Sequence, residues 1–198
     1  PEAMCNFLAL IGWNPGGNEE IFTSDALKAA FSLEKIQRSG GAFNEEKLKW
    51  MNKEYLAKKP LSEQVVYITS ALPESVTKLP QFSTDRLTRL TPTIVERIHT
   101  KTELMETAAT GEYDWAFTEP EYETGLIKWK NDDSPNAALP RLAEAINLLE
   151  NADFTSPETI KNALWSYAEL VGRGELLWPL RVALSGRERS PDPFTCAW

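Results

Sequence analysis

Lys47, Trp50 and Lys53 recur at spacings of three, which on a helix sets two cations and an indole on one face. Such a face can grip a polyanion. A solvated lysine edge over a core tryptophan is the competing reading. The element that must position these side chains is a helix over Phe43 to Leu56. Asn44 is a good N-cap, Glu45 and Glu46 put negative charge at the positive end of the helix dipole, and Leu48, Met51 and Tyr55 form the apolar stripe.

Residue types that do covalent or redox chemistry are scarce. The sequence holds no glycine-rich phosphate loop, no GxSxG, no CxxC and no histidine pair. Its one histidine, His99, reads as structural or solvated at a helix end. Neighbouring carboxylates such as Glu45 and Glu46 point to different helix faces and cannot work as an acid and base pair. The expectation is a chain with no catalytic residue, no metal site and no cofactor of its own.

The 198 residues suffice for a real core, 42% of them are hydrophobic, and no apolar run reaches the ~18 residues of a membrane span. A net charge of −8 argues against indiscriminate coating of nucleic acid. The charge is uneven: seven acids and no Lys or Arg lie between Glu103 and Glu123, while Lys47, Lys49, Lys53, Lys58 and Lys59 cluster, as do Arg173, Arg181, Arg187 and Arg189. That pattern suits a partner touched at a few defined places, and equally an ordinary acidic protein. Cys5 and Cys196 lack metal-ligand spacing and read as two buried, reduced thiols of a cytosolic protein. The start at Pro1 and the final PFTCAW, like a helix cut short, suggest a piece of a longer protein.

In chain order, Glu2 to Ile11 reads as a helix with Met4, Phe7, Leu8 and Ile11 inward and Gly12 as a left-handed cap. Asn14 to Gly17 is a turn, Ser24 caps a short helix, Ser32 to Ile36 makes a further turn, and Gly40-Gly41 is a break. A helix from Ser62 to Leu72 follows Pro60. Thr84 to Thr107 is mostly helical, with a kink or restart at Pro92, a buried stripe of Leu87, Leu90, Ile94 and Ile98, and Arg86, Arg89 and Arg97 toward solvent. Tyr113 to Lys130 is a connection with one short helix. Ser134-Pro135 and Ser156-Pro157 start two more helices, and Leu176 to Ser185 is a last one closed by Gly186. No strand alternation is present, so the fold class is all-α, an irregular helical bundle.

Four blocks, in this order, resemble the bacterial glutamyl-tRNA synthetases of class I: PEAMCNFLALIGW at Pro1–Trp13, EIFTSDALKAAFSLEKI at Glu20–Ile36, AFNEEKLKWMNKEYL from Ala42, and LLWPLRVALSGRERSPDPF at Leu176–Phe194. The resemblance implies the C-terminal half of such an enzyme: a stem-contact helical region at 1–60, then a helical cage for the anticodon loop in two subdomains, 61–130 and 131–198. It implies that Lys47, Lys49, Trp50 and Asn52 lie toward the tRNA backbone. It also implies that Arg97 meets the third anticodon letter, and that Arg181, Ser190, Pro191 and Phe194 belong to the segment cradling the first letters, with Asp192 and Pro193 replacing more usual small or apolar residues. The implied partner is tRNA(Glu), bound by a cytoplasmic monomer with no membrane or DNA role. ATP and Mg would serve the catalytic half of the parent ligase, whose signatures are missing here. A helical protein-interaction adaptor, and the equivalent region of class I lysyl-tRNA synthetase, remain as alternatives.

Overall fold

Asn44 accepts a hydrogen bond from the Lys47 backbone N–H at 3.0 Å and so starts the helix that carries the basic aromatic face. A computed structural model describes residues 1–37 and 41–198. Gly40, half of the break read at Gly40-Gly41, lies outside the described residues. Eleven α-helices are described: α1 Glu2–Gly12, α2 Ser24–Ala30, α3 Glu45–Ala57, α4 Leu61–Thr69, α5 Glu74–Thr77, α6 Thr84–Val95, α7 Lys101–Ala109, α8 Ala138–Leu149, α9 Pro157–Val171, α10 Arg173–Ser185 and α11 Pro193–Ala197. Short 3-10 turns fill several connections, two of them inside the Tyr113–Lys130 stretch. Among the described residues no strand forms; one isolated antiparallel bridge joins Trp13 and Ile36.

The helices gather into two compact units. The first combines Pro1–Pro73 with Leu90–Ala109, and the second combines Glu74–Arg89 with Thr110–Trp198. This differs from the segments 1–60, 61–130 and 131–198 expected from the resemblance. Residues 90–109 return to the first unit through bonds such as Asn52 Nδ2 to His99 O. Residues 74–89 join the second through Gln81 N to Phe117 O (3.1 Å) and Arg86 Nη1 to Ala116 O (3.1 Å).

In the first unit, Ala3 and Phe7 of α1 pack on Met51 of α3, with Leu10, Ile11, Leu48 and Tyr55 around them. The buried face of α1 is thus turned from the expected one, and Met4 and Leu8 stand exposed at 43% and 55%. The reason is Asn6. Fully buried, it accepts from Phe22 N (2.7 Å), donates to Glu20 O (2.9 Å) and meets the Tyr55 hydroxyl (2.7 Å), so the helix turns to satisfy an amide rather than to bury Leu8. Gly12 stays helical and has no positive φ; the chain leaves through an extended Trp13. Thr23 rather than Ser24 caps α2, accepting from Ala26 N at 3.1 Å. Pro92 sits inside α6, which runs through it and ends at Val95, and Leu87, Leu90, Ile94 and Ile98 are all buried as the stripe requires.

In the second unit Ile160, Leu164 and Ala168 of α9 meet Ala145 of α8, Leu176 and Leu180 of α10 and Phe194 of α11. Ser156 and Thr159 form a reciprocal capping box at the start of α9. Arg141 holds Asp132 with two bonds, at 2.9 and 2.6 Å, a nearly buried bidentate pair. Helix α10 begins three residues before the expected Leu176, at Arg173, and ends on Gly186 in the left-handed conformation at φ 67°.

Candidate nucleic-acid interface

On α3 the three candidate side chains keep to one face, and Trp50 is 39% exposed rather than a core residue. Helix packing explains this, because Met51 and Leu56 take the buried side. Lys47 Nζ lies 2.5 Å from Glu20 Oε1. Lys49 Nζ lies 3.0 Å from Glu45 Oε1 and 3.4 Å from Glu46 Oε1, and its ammonium is held above the usual lysine range by the Glu45 hydrogen bond first and the two carboxylate charges after it. The Lys49 pairs reach well into solvent, where such pairs are weak and a polyphosphate can displace them.

Asn52 and Lys53 each bond to a backbone carbonyl of another segment. The Asn52 amide donates to His99 O and is shared with Tyr67. Burial comes first in pushing the Tyr67 phenol up, with the Asn52 bond opposing it. Lys53 Nζ donates to Glu96 O at 2.7 Å. Both acceptors lie in the turn between α6 and α7 that carries Arg97, whose side chain is exposed. Residues read as stem contacts and the residue read as a base contact therefore share one unit and one bonded neighbourhood. Beside them opens a cavity of about 400 Å³ lined by Lys49, Asn52, Tyr67, Thr100 and Lys101.

His99 is half-exposed and helps start α7. Its backbone N–H donates to Glu103 Oε2 at 2.7 Å, with Nδ1 3.3 Å from the same oxygen, while Glu103 N donates to Thr100 Oγ1 at 3.1 Å. Burial alone would raise the Glu103 carboxyl, but the His99 and Thr100 hydrogen bonds and the His99 charge outweigh it and hold it below the usual range.

The other four candidates fall in the second unit. Arg181 of α10 is half-buried, and its Nε has no hydrogen-bond partner among the described residues. Ser190 Oγ donates to Pro191 O at 2.9 Å. Pro191 is buried, and Phe194 is 7% exposed within the core of α9 and α10. Asp192 caps α11, its Oδ1 accepting from Phe194 N and Thr195 N, both at 3.0 Å, and Pro193 follows at the first helical position. The SPDPF block is thus a helix start whose apolar members face inward.

Sequence reading missed the Asp132–Arg141 pair and the packing of Trp129 beside Trp178, whose Nε1 donates to Leu126 O at 2.9 Å. Gly174 is required there, since a Cβ would strike the Trp129 ring. Among the described residues no group of three or more His, Cys, Asp or Glu is placed to hold a metal, and no helix is long and apolar enough to cross a membrane.

Strandless packing, with half-exposed cations and an exposed indole on α3 and an exposed arginine on the turn after α6, is that of an all-α module of the binding type. The family model described as anticodon binding domain matches residues 60–197, and the chain belongs to that family. It is 35% identical over 193 residues to the glutamate–tRNA ligase of Clostridium novyi (strain NT), covering 96% of this chain and 38% of that protein. To the glutamate–tRNA ligase of Flavobacterium johnsoniae it is 34% identical over 198 residues, covering 98% of this chain and 37% of the relative. The crystal structure of a glutamate tRNA ligase from Elizabethkingia meningosepticum, in complex with its amino acid, superposes with a TM-score of 0.74 at 27% identity, over 99% of this chain and 37% of that one. The chain spans about 38% of the length of the curated relatives it matches.

Proposed function

We propose that the chain is the tRNA-holding part of a glutamate–tRNA ligase, the enzyme that joins glutamate to tRNA(Glu) with ATP. The match of residues 60–197 to the anticodon binding domain carries this reading. ATP and Mg would act in the remainder of the longer protein, and the working form would be a cytoplasmic monomer. Lys47, Lys49 and Trp50 supply sequence-independent contacts along the RNA backbone, which position without specifying. Letters are read in the unstacked loop, where Watson–Crick edges are open to side chains.

Arg97 is the reader of the third anticodon letter in this proposal. A guanidinium has only donors. The Watson–Crick edge of cytosine offers two adjacent acceptors, N3 and O2, whereas that of guanine offers two adjacent donors, N1–H and N2–H₂. An arginine there favours C, which ends glutamate anticodons, over G, which ends glutamine anticodons. The test is binding of the 198-residue chain to two RNA hairpins whose seven-base loops differ only by C or G at that letter. Arg97→Gln is expected to shrink the preference by ~1–3 kcal/mol, the worth of a good arginine–base contact. An unchanged preference removes Arg97 from the role, and absence of binding to either hairpin overturns the RNA-holding reading itself.

A further inference from the structure

The turn carrying Arg97 is held at both ends. Helix α6 stops at Val95, where Arg97 N and Ile98 N both turn back to Ile94 O, at 2.9 and 3.2 Å. Helix α7 starts at Lys101, its entry fixed by Thr100 Oγ1 and by the Glu103 carboxylate on the His99 N–H. Carbonyls past a helix end need partners from elsewhere. Here two come from consecutive residues of α3: Lys53 Nζ on Glu96 O at 2.7 Å, one residue before Arg97, and Asn52 Nδ2 on His99 O, two residues after it. Both donors thus bracket the arginine from the helix that also carries Lys47, Lys49 and Trp50. Helix α3 is in turn anchored through Met51, which is fully buried against α1.

We propose that Asn52 and Lys53 are positioning residues for Arg97, so that the helix gripping the RNA backbone also sets the arginine that reads a base. The assignment rests on the reading of Arg97 given above. Its physical content is preorganisation. An exposed arginine discriminates between base edges only if its backbone is held to a fraction of an ångström, and a loose turn would have to be ordered at the moment of binding. Lys53 spends its charge on a backbone carbonyl, so its removal should change the choice of base, not merely the total attraction to RNA.

The experiment measures affinities of the 198-residue chain for the C and G hairpins with Asn52→Ala, Lys53→Met, Lys53→Arg and Arg97→Gln, alone and combined. Asn52→Ala and Lys53→Met are each expected to cut the C-over-G ratio ~5-fold, within the range of one arginine–base contact. Neither should cut it further in the Arg97→Gln background, because residues acting through one another are non-additive. Lys53→Arg, which keeps a donor, should restore most of the ratio. Equal losses on both hairpins with the ratio intact would overturn the positioning role and leave a purely structural bond. If Arg97→Gln itself leaves the ratio unchanged, the reading of Arg97 falls and its positioning residues with it; if Arg97→Gln lowers the ratio while the α3 variants do not, only the positioning role falls. Should Asn52→Ala lose its helical circular dichroism, the Lys53→Met and Lys53→Arg pair decides alone.

Discussion

The turn after α6 and the segment after α10 both follow a helix end and were both read as places where RNA bases are met, yet they are built oppositely. In the first, Arg97 is exposed and the neighbouring backbone is satisfied by side chains arriving from α3. In the second, two matching residues have turned inward: Phe194 fills the core and Pro191 is buried, while the exposed Asp192, a departure from the family pattern, uses its carboxylate to cap α11. A residue pattern shared with an RNA-binding family thus contains two kinds of position. Some stand exposed to solvent, and others build the segment around them.

Phe194→Ala is the sharpest way to break that contrast. Emptying its place among Leu164, Leu176 and Leu180 should cost about 3–5 kcal/mol in urea unfolding, the usual range for a buried phenylalanine. A cost below ~1 kcal/mol would mean the ring is not core-bound and would put it back among the RNA contacts.

Asp132→Asn comes next, at about 3 kcal/mol, because it leaves Arg141 nearly buried without its counter-charge. Its pH dependence has a definite sign. The Arg141 hydrogen bonds hold the Asp132 carboxyl below the usual range, against an opposing effect of burial, with the Trp129 N–H and the Arg141 and Lys128 charges assisting. A depressed folded value gives stability that is full above the unfolded value of about 3.9 and is lost as pH falls through the folded one. Acid unfolding of the parent chain should therefore steepen below about pH 4 relative to Asp132→Asn, and parallel curves would remove the pair from the stability of the second unit.

Lys49→Ala gives the smallest effect and tests the surface side of the contrast. It should weaken both hairpins alike and lower the slope of log affinity against log salt by about 0.7–0.9. Different losses on the two hairpins would make Lys49 a base contact.

Much of what repeats along one helix could be read ahead of the structure. The stripe Leu87, Leu90, Ile94 and Ile98 is buried as its spacing demands, Asn44 and Ser156 cap as their side chains allow, and Gly186 closes α10. Illegible features are polar pairings across the chain, which have no period. Asn6 is held by Glu20, Phe22 and Tyr55 and turns α1 away from the face its apolar residues suggest. Asn52 reaches His99 across 47 positions, and residues 90–109, which carry His99, group with the first unit. Lone pairs and protons settled these points after hydrophobic spacing had settled the rest.

The expectation of two buried thiols fails at one end of the chain. Cys5 is exposed on α1, whereas Cys196 is half-buried on α11, with its sulfur 3.6 Å from Ser190 Oγ. Each compact unit therefore carries one native sulfhydryl, and the two differ in accessibility. Under mild alkylation Cys5 is expected to react first and to accept a dye or spin label with no engineered residue, and Cys196 more slowly.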